Sequence, residues 1–337
     1  MMKKIILYII AFISIFSTSC VKEDEFDNTP EGNFEALWKI IDERYCFLDY
    51  KQQEYGLDWN AVHEKYKKRI SSSMTSKALF EVLGDMLGEL HDGHVNLYCS
   101  LGTSRYWKWF EDYPKNFNDS IQRNYLGTNY GISSGLKYKI FENNIGYIYV
   151  ESFSNAIGSG NLSEVLNELS LCNGLIIDVR NNGGGDLTTA QDLAARFTNK
   201  KVLTSYICHK NGTGHKDFSS PIAIYIEPSN HIRWQKKVAV LTNRSSYSAT
   251  NDFVNNMSFF PNVTIIGDKT GGGSGLPFSS ELPNGWSVRF SSSPMFDANM
   301  NQIEFGISPD IKINMSAADI LKGKDTIIES AFKYLVQ

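Results

Sequence analysis

The sequence predicts an α/β core behind a small helical region, and three observations carry that reading. Short apolar runs of strand length at 145–150, 174–179 and 237–242 alternate with helical periodicity near 160–170, 187–198 and 247–258, the element order of a layered α/β domain. Ahead of them, Phe34, Leu37, Trp38 and Ile41 share a helical face that Tyr45 extends, and Leu79, Val82, Leu83, Met86, Leu87 and Leu90 form another stripe. Between the two regions, residues 98–136 are polar and aromatic, with Tyr106-Trp107-Lys108-Trp109-Phe110 at their centre. They read as a connecting or lid segment.

The chain has 337 residues, enough for one large domain or one with an appendage. Its 42% hydrophobic and 21% charged residues are those of an ordinary globular protein, and 17 Tyr and 20 Phe supply a sizeable core. A net charge of −4 gives no general attraction to nucleic acid, and no nucleic-acid partner is expected.

Taken in order, the first twenty residues are a targeting segment. Lys3 and Lys4 precede an apolar run at 5–16, then Ser17-Thr18-Ser19 and Cys20. That is the charged, apolar and small-residue order of a secretory signal, and the run is too short to favour a spanning helix. Cysteine directly after small residues resembles the lipobox of bacterial lipoproteins, with Ser17 where that pattern prefers Leu. It implies a lipid on Cys20 and an outer-membrane lipoprotein facing the periplasm or the surface. Lys22-Glu23-Asp24-Glu25 is similar to a short surface-export signal. Residues 21–30 read as a tether.

Residues 31–97 form the helical subdomain. Asp58 starts its second helix, with Val62, Tyr66 and Ile70, and Ser76 caps the third. The core follows at 137–337. It starts with a hairpin of strands 137–141 and 145–150 around Glu142-Asn143-Asn144. Strands are expected near 202–208, 222–227 and 263–266, then a second hairpin of 276–281 and 285–292, and a last helix at 325–335. Cys46, Cys99, Cys172 and Cys208 are widely spaced without a C-x-x-C pair, so no zinc site or disulfide framework is implied. Their pairing stays open, because an exported chain allows one or two bridges.

Three stretches carry chemistry. Asn243-Arg244-Ser245-Ser246-Tyr247-Ser248-Ala249 joins an apolar strand to a helix. A serine there is either a helix cap or a nucleophile beside unpaired N–H groups that favour an oxyanion. Leu90-His91-Asp92-Gly93-His94 is a helix-to-strand turn. His91 and His94 are three apart, but no further ligand cluster has metal spacing. A histidine on such a turn can serve as a general base. Asp178-Val179-Arg180-Asn181-Asn182-Gly183-Gly184-Gly185 lets backbone N–H groups approach an anion. It matches neither phosphate-loop pattern, and fits an oxyanion hole.

In this order, and with Gly-Tyr-Ile-Tyr-Val at 146–150, Ile-Gly-Asp-Lys-Thr-Gly-Gly at 266–272 and Glu-Phe-Gly-Ile-Ser-Pro-Asp at 304–310, the motifs resemble the C-terminal-processing and tricorn-core family of serine peptidases, also called tail-specific proteases. The resemblance spans roughly residues 34–315. It implies a ClpP/crotonase-like core of stacked, twisted sheet with flanking helices. It also implies Ser248 as nucleophile, His94 as base and Glu304 as the acid of the tricorn-like branch. Gly184, with Gly183 beside it, and Ala249 would form the oxyanion hole. No cofactor or metal is implied, and the partner is a peptide or protein substrate.

Three departures follow. The processing branch carries a lysine base about 25 residues after its serine; here Gly273 stands there, and Lys269 is not at that position. Tricorn has a serine directly before its histidine, and here it is Gly93, so Asp92 rivals Glu304 as the orienting acid. The interval 98–137 is too short for a PDZ domain. A histidine base predicts activity rising through pH about 6–7. The expected function is a lipid-anchored extracytoplasmic serine endopeptidase. The alternatives are an inactive peptide- or glycan-binding lipoprotein of the same fold, or an esterase or amidase using the same serine.

Overall fold

The apolar runs become the middle of a seven-stranded sheet that carries the site along one edge. The computed structural model describes residues 26–337. The signal segment, Cys20 and the start of the tether lie outside the described residues.

Four helices come first: α1 (Pro30–Arg44), α2 (Leu48–Tyr55), α3 (Trp59–Lys67) and α4 (Ser76–Gly88). Their starts are set by short polar side chains. Asp58 accepts from Ala61 N at the head of α3, as its position predicts, while Thr75 and not Ser76 accepts from Ala78 N before α4. Only one of two adjacent hydroxyls can sit on the extended residue before the first turn, and Ser76 is already inside it. Helix α2 was not visible in the sequence. Its buried residues are Leu48 and Lys51, too few for a recognisable stripe.

The strands β1 (Asn96–Cys99) and β2 (Gly102–Arg105) follow, then α5 (Lys108–Glu111), α6 (Asp119–Leu126) and β3 (Gly131–Ser133). The core continues with β4 (Leu136–Ile140), β5 (Ile145–Val150), α7 (Ser159–Glu168), β6 (Gly174–Asp178) and α8 (Leu187–Ala194). Next come β7 (Val202–Ile207), β8 (Ile222–Ile226), β9 (Val238–Thr242), α9 (Ala249–Ser258) and β10 (Val263–Gly267). The chain closes with β11 (Leu276–Glu281), β12 (Ser287–Ser293), β13 (Met295–Asp297), β14 (Ile311–Lys312), α10 (Ala317–Leu321) and α11 (Thr326–Leu335).

The main sheet runs β14-β10-β9-β6-β5-β4-β3. Strands β14, β10, β9, β6 and β5 are parallel to their neighbours, and β4 and β3 turn back antiparallel. Side chains alternate between two apolar layers. Ile148, Val150, Leu175, Ile177, Val238 and Val240 pack with α7, α8 and α9. Tyr147, Tyr149, Ile176, Ala239 and Leu241 pack with Ile327, Ile328 and Ala331 of α11. A parallel strand covered on both faces needs an unbroken apolar run, which is why these strands were legible.

The second hairpin does not join this sheet. β11 and β12 extend β1 and β2 into a separate four-stranded sheet, with Asn96 opposite Arg289 and Leu97 opposite Val288. Leu282, Val288 and Phe290 enter the same core as Leu37, Ile41, Leu83 and Met86. One sheet and one apolar core therefore bind the helical region to a segment from near the end of the chain. The four cysteines Cys46, Cys99, Cys172 and Cys208 are free thiols.

Arg180, in the glycine-rich motif, locks α11 onto this frame. It is wholly buried and bonds both oxygens of Asp178, at 2.9 and 2.7 Å, and both of Asp325, at 3.1 and 2.9 Å. Burial favours neutral Arg180, but the two carboxylates outweigh it and raise its pKa further. Arg180→Met would strand two buried carboxylates. It should lower unfolding free energy by roughly 3–5 kcal/mol in urea titrations, and a loss under about 1 kcal/mol would show that the pair relaxes to water.

Candidate active site

The carboxyl ends of the parallel strands carry the loops that make the site, the usual place for a cleft in such sheets. After β9, the chain turns sharply and Ser248 enters α9 with φ +60° and ψ −123°. A residue with a Cβ is strained there by about 1–3 kcal/mol. The surroundings hold it. Tyr247 N donates to Asn182 O at 3.0 Å, Ser248 N to Gly272 O at 2.9 Å and Gly271 N to Ser246 O at 2.8 Å. Ser246 Oγ donates to Val179 O at 2.9 Å. Ser248 makes no capping hydrogen bond. Its Oγ lies 3.0 Å from His94 Nε2 instead.

His94 sits on the turn between α4 and β1. Its backbone N–H donates to Asp92 Oδ1 at 2.7 Å, and Arg105 Nε donates to Gly93 O at 2.7 Å. The imidazole is buried and packs on Tyr247, with ring centroids 4.9 Å apart. Tyr247 in turn stacks on Trp109 at 3.9 Å. Those two rings account for two of the three departures from the resemblance, Gly93 and Gly273. A Cβ on Gly93 would meet Trp109 Nε1 at 2.5 Å and Tyr247 Oη at 2.9 Å. Gly273, at φ +73°, lies against the Tyr247 ring, so no side chain fits there. Lys269 is half-buried, and the charges that act on it belong to Arg244 and Glu54.

Asp92 and Glu304 are both buried behind the histidine, and a buried lysine lies between them. Lys51 Nζ donates to Leu90 O at 2.6 Å and to Glu304 Oε1 at 3.4 Å, and stands 3.9 Å from Asp92 Oδ2. Tyr45 Oη donates to Asp92 Oδ2 at 2.7 Å, and Ser274 N donates to Glu304 Oε2 at 2.9 Å. His94 Nδ1 is buried with no partner among the described residues, so neither carboxylate touches it in this structure. Burial and then the Asp92 charge push the Glu304 carboxyl well above its usual range. Burial acts on Asp92 too, but Lys51, His94 and Tyr45 outweigh it and hold it low. Of the two carboxyls, Glu304 is therefore the one whose protonated form is favoured.

The expected oxyanion groups divide. The Ala249 N–H opens α9 and donates to no group among the described residues. Gly184, at φ +101°, is pressed against Ser248: a Cβ there would lie 2.7 Å from Ser248 Cβ and 3.0 Å from Ala249 N. Its N–H, however, donates to Asn182 Oδ1 at 3.0 Å. Gly183 is exposed, with open space where a Cβ would be. His91 does not join His94. It lies between the Tyr55 and Tyr106 rings, at 4.8 and 4.9 Å. Among the described residues no group of three or more His, Cys, Asp or Glu is arranged to hold a metal ion.

Sequence reasoning missed Lys51, Tyr45 and Asn182. Asn182 lay in a motif already singled out, where a buried amide between glycines was the available signal. Lys51 had none, since a lysine in Asp49-Tyr50-Lys51-Gln52 reads as surface.

The profile described as Peptidase family S41 matches residues 144–313, half of the chain. The chain belongs to that family. A profile described as the tricorn protease C1 domain matches residues 26–88, the helical region. Among curated relatives, the tricorn protease of Thermoplasma acidophilum is 28% identical over 199 residues, 57% of this chain and 17% of that protein. Carboxy-terminal processing protease CtpB of Bacillus subtilis is 25% identical over 178 residues, 52% of this chain and 35% of that protein. The matches thus span well under half the length of either relative. A crystal structure from Parabacteroides merdae, described as a candidate peptidase, is 51% identical with a TM-score of 0.89, covering 92% of this chain and 98% of that one. Mature CPAF complexed with lactacystin is 12% identical with a TM-score of 0.70, over 91% of this chain and 98% of that one, and shows a shared fold alone.

Burial lowers the pKa of His94 to about 4; the Asp92 charge opposes this, and Arg289, Arg105 and Lys51 reinforce it. His94 is then neutral, as a general base must be, well below pH 6. The sequence-based rise through pH about 6–7 moves to lower pH. The acid limb of kcat/KM, which reports the free enzyme, should fall below about pH 5, and a limb centred near 6.5, the free value, would mean that Nδ1 already has a charged or solvated partner before substrate binds. The folded pKa lies below the unfolded one. His94 therefore adds stability above about pH 6.5 that is lost as pH falls towards 4. His94→Ala should cost roughly 10²–10⁴ in kcat with folding intact, whereas Lys269→Ala should leave kcat near wild type. Steady-state kinetics on one peptide substrate read both.

Proposed function

We propose that this chain is a lipid-anchored, extracytoplasmic serine endopeptidase. Ser248 attacks the peptide carbonyl, and His94 takes the proton from Oγ and returns it to the leaving amine. Ala249 N–H meets the oxyanion, joined by Gly184 N–H once it leaves Asn182. Asp92 holds the His94 turn and supplies the negative charge that favours the imidazolium. Glu304 sets that charge from behind, through Lys51. The observation that carries this reading is the 3.0 Å contact of Ser248 Oγ with His94 Nε2 at a strained strand-to-helix turn.

The rival with a silent site has one observation in its favour: Gly184 N–H and His94 Nδ1 are not in working contacts here. A fluorophosphonate probe decides, since only an activated serine reacts. Labelling should vanish in Ser248→Ala and persist in Ser245→Ala and Ser246→Ala. No labelling of the wild type would leave a binding protein of the same fold.

The anchor rests on Ser17-Thr18-Ser19-Cys20 after the apolar run. Among the described residues no helix is long and apolar enough to cross a membrane. In cells, Cys20→Ala should abolish lipid labelling and release the chain from membranes. Normal maturation with membrane partition intact would remove the anchor at Cys20.

A further inference from the structure

Beside the nucleophile is a pocket with room for about 90 Å³, walled by Leu187, Leu276, Pro277, Met295 and Ile303 and reaching Ser248, Ala249 and Gly185. One cation lines it. Arg289 projects from β12, opposite Asn96 on β1, and is half-buried. Its guanidinium has no ion pair or side-chain hydrogen bond to any described residue. The other arginines of the site are spent: Arg180 on Asp178 and Asp325, Arg105 on Gly93 O, Arg244 on Trp109 O and Thr270 O. Arg289 also lies close enough to His94 to oppose its protonation. It lines the same pocket as Ser248.

We infer that Arg289 is a specificity-determining residue that binds a carboxylate of the substrate next to the bond cleaved by Ser248. This deepens the peptidase reading and rests on it. A half-buried arginine without a partner forfeits hydration for nothing within the free protein. Its planar fork is suited to two parallel hydrogen bonds to a carboxylate, and in a partly dry pocket such a pair is strong. The pocket also holds Asp252, but that carboxylate does not compete. Asp252 is sealed from solvent on α9, its Oδ2 accepts from Asn256 Nδ2 at 2.9 Å, and burial pushes its pKa up to about 6, offset by the Asn256 and Gln191 amides. Arg289 is not among the groups that act on it. The apolar walls of the pocket suit the carbon chain that carries the carboxylate. That carboxylate has two sources, the C-terminus of a peptide or an Asp or Glu side chain flanking the cut.

Protection of Ser248 from a fluorophosphonate tests this without requiring turnover. Labelling of the wild type by itself establishes the activated serine. Its rate is then measured with peptide pools bearing free or amidated C-termini, and with Asp and Glu or Asn and Gln at internal positions. Carboxylate-bearing pools should protect at about tenfold lower concentration than their neutral counterparts. An effect of amidation alone assigns the terminal carboxylate, and an effect of the internal acids alone assigns the side chain. In Arg289→Gln the ratio should collapse to about one, and Arg289→Lys should recover part of it. Equal protection by charged and neutral pools in a labelled wild type overturns the inference. So does a preference that survives Arg289→Gln.

Discussion

Lys51 is the contact on which the site depends. A wholly buried ammonium is costly unless it is paired, and it is paired only because three distant segments meet around it: α2, the turn carrying Asp92, and the loop carrying Glu304. The charge bookkeeping is close. Two carboxylates face one ammonium, and the cluster is neutral when Glu304 keeps the proton. Asp92 then remains as a fixed negative charge behind the histidine, where the proposed reaction would develop an imidazolium. The helical region thus supplies part of the electrostatics of the site as well as a lid over a sheet.

The strain at Ser248 is the second constraint, and its support comes from neighbours that look incidental in sequence. Asn182 accepts from Tyr247 N with its carbonyl, accepts from Gly184 N with its side chain, and donates to Val150 O at 3.0 Å. One buried amide therefore ties the ends of β5 and β6 to the turn after β9. Tyr247 fills the space beside Gly93 and Gly273, and Trp109 covers it. Arg244 bonds the Trp109 carbonyl and lies 4.0 Å from the Tyr113 ring, fixing this aromatic cover in place. The segment 98–136 is thus packed onto the elbow at Trp109 and Arg244, not only laid over it.

Much of the fold was legible because its strands are covered on both faces, so that 145–150, 174–178 and 238–242 read as unbroken apolar runs. The short edge strands β3, β13 and β14 were not, because two or three residues carry no period. Nor was the partner of the second hairpin, since antiparallel strands with one polar face record their alternation but not which strand they meet. In the site, local chemistry left a capping serine and a structural histidine open, and Ser248 and His94 were singled out by the order of motifs that resembles the family. The capping alternative for Ser248 was settled only by geometry, because the hydroxyl turns to His94 and away from its own helix.

The sequence by itself determined the layered α/β core and the helical region before it, which are set by hydrophobic period and turn chemistry in short stretches. For the site it supplied candidates, Ser248, His94 and the two acids at issue, whose roles came from the likeness to the family. Tertiary structure decided what the acids do, since Asp92 and Glu304 are separated by most of the chain and their protonation is set by Lys51 and by burial. It also decided that Gly184 N–H is held by Asn182 and that Arg289 lines the same pocket as Ser248. A charge's environment is the sum over neighbours brought from afar, and no local pattern encodes that sum.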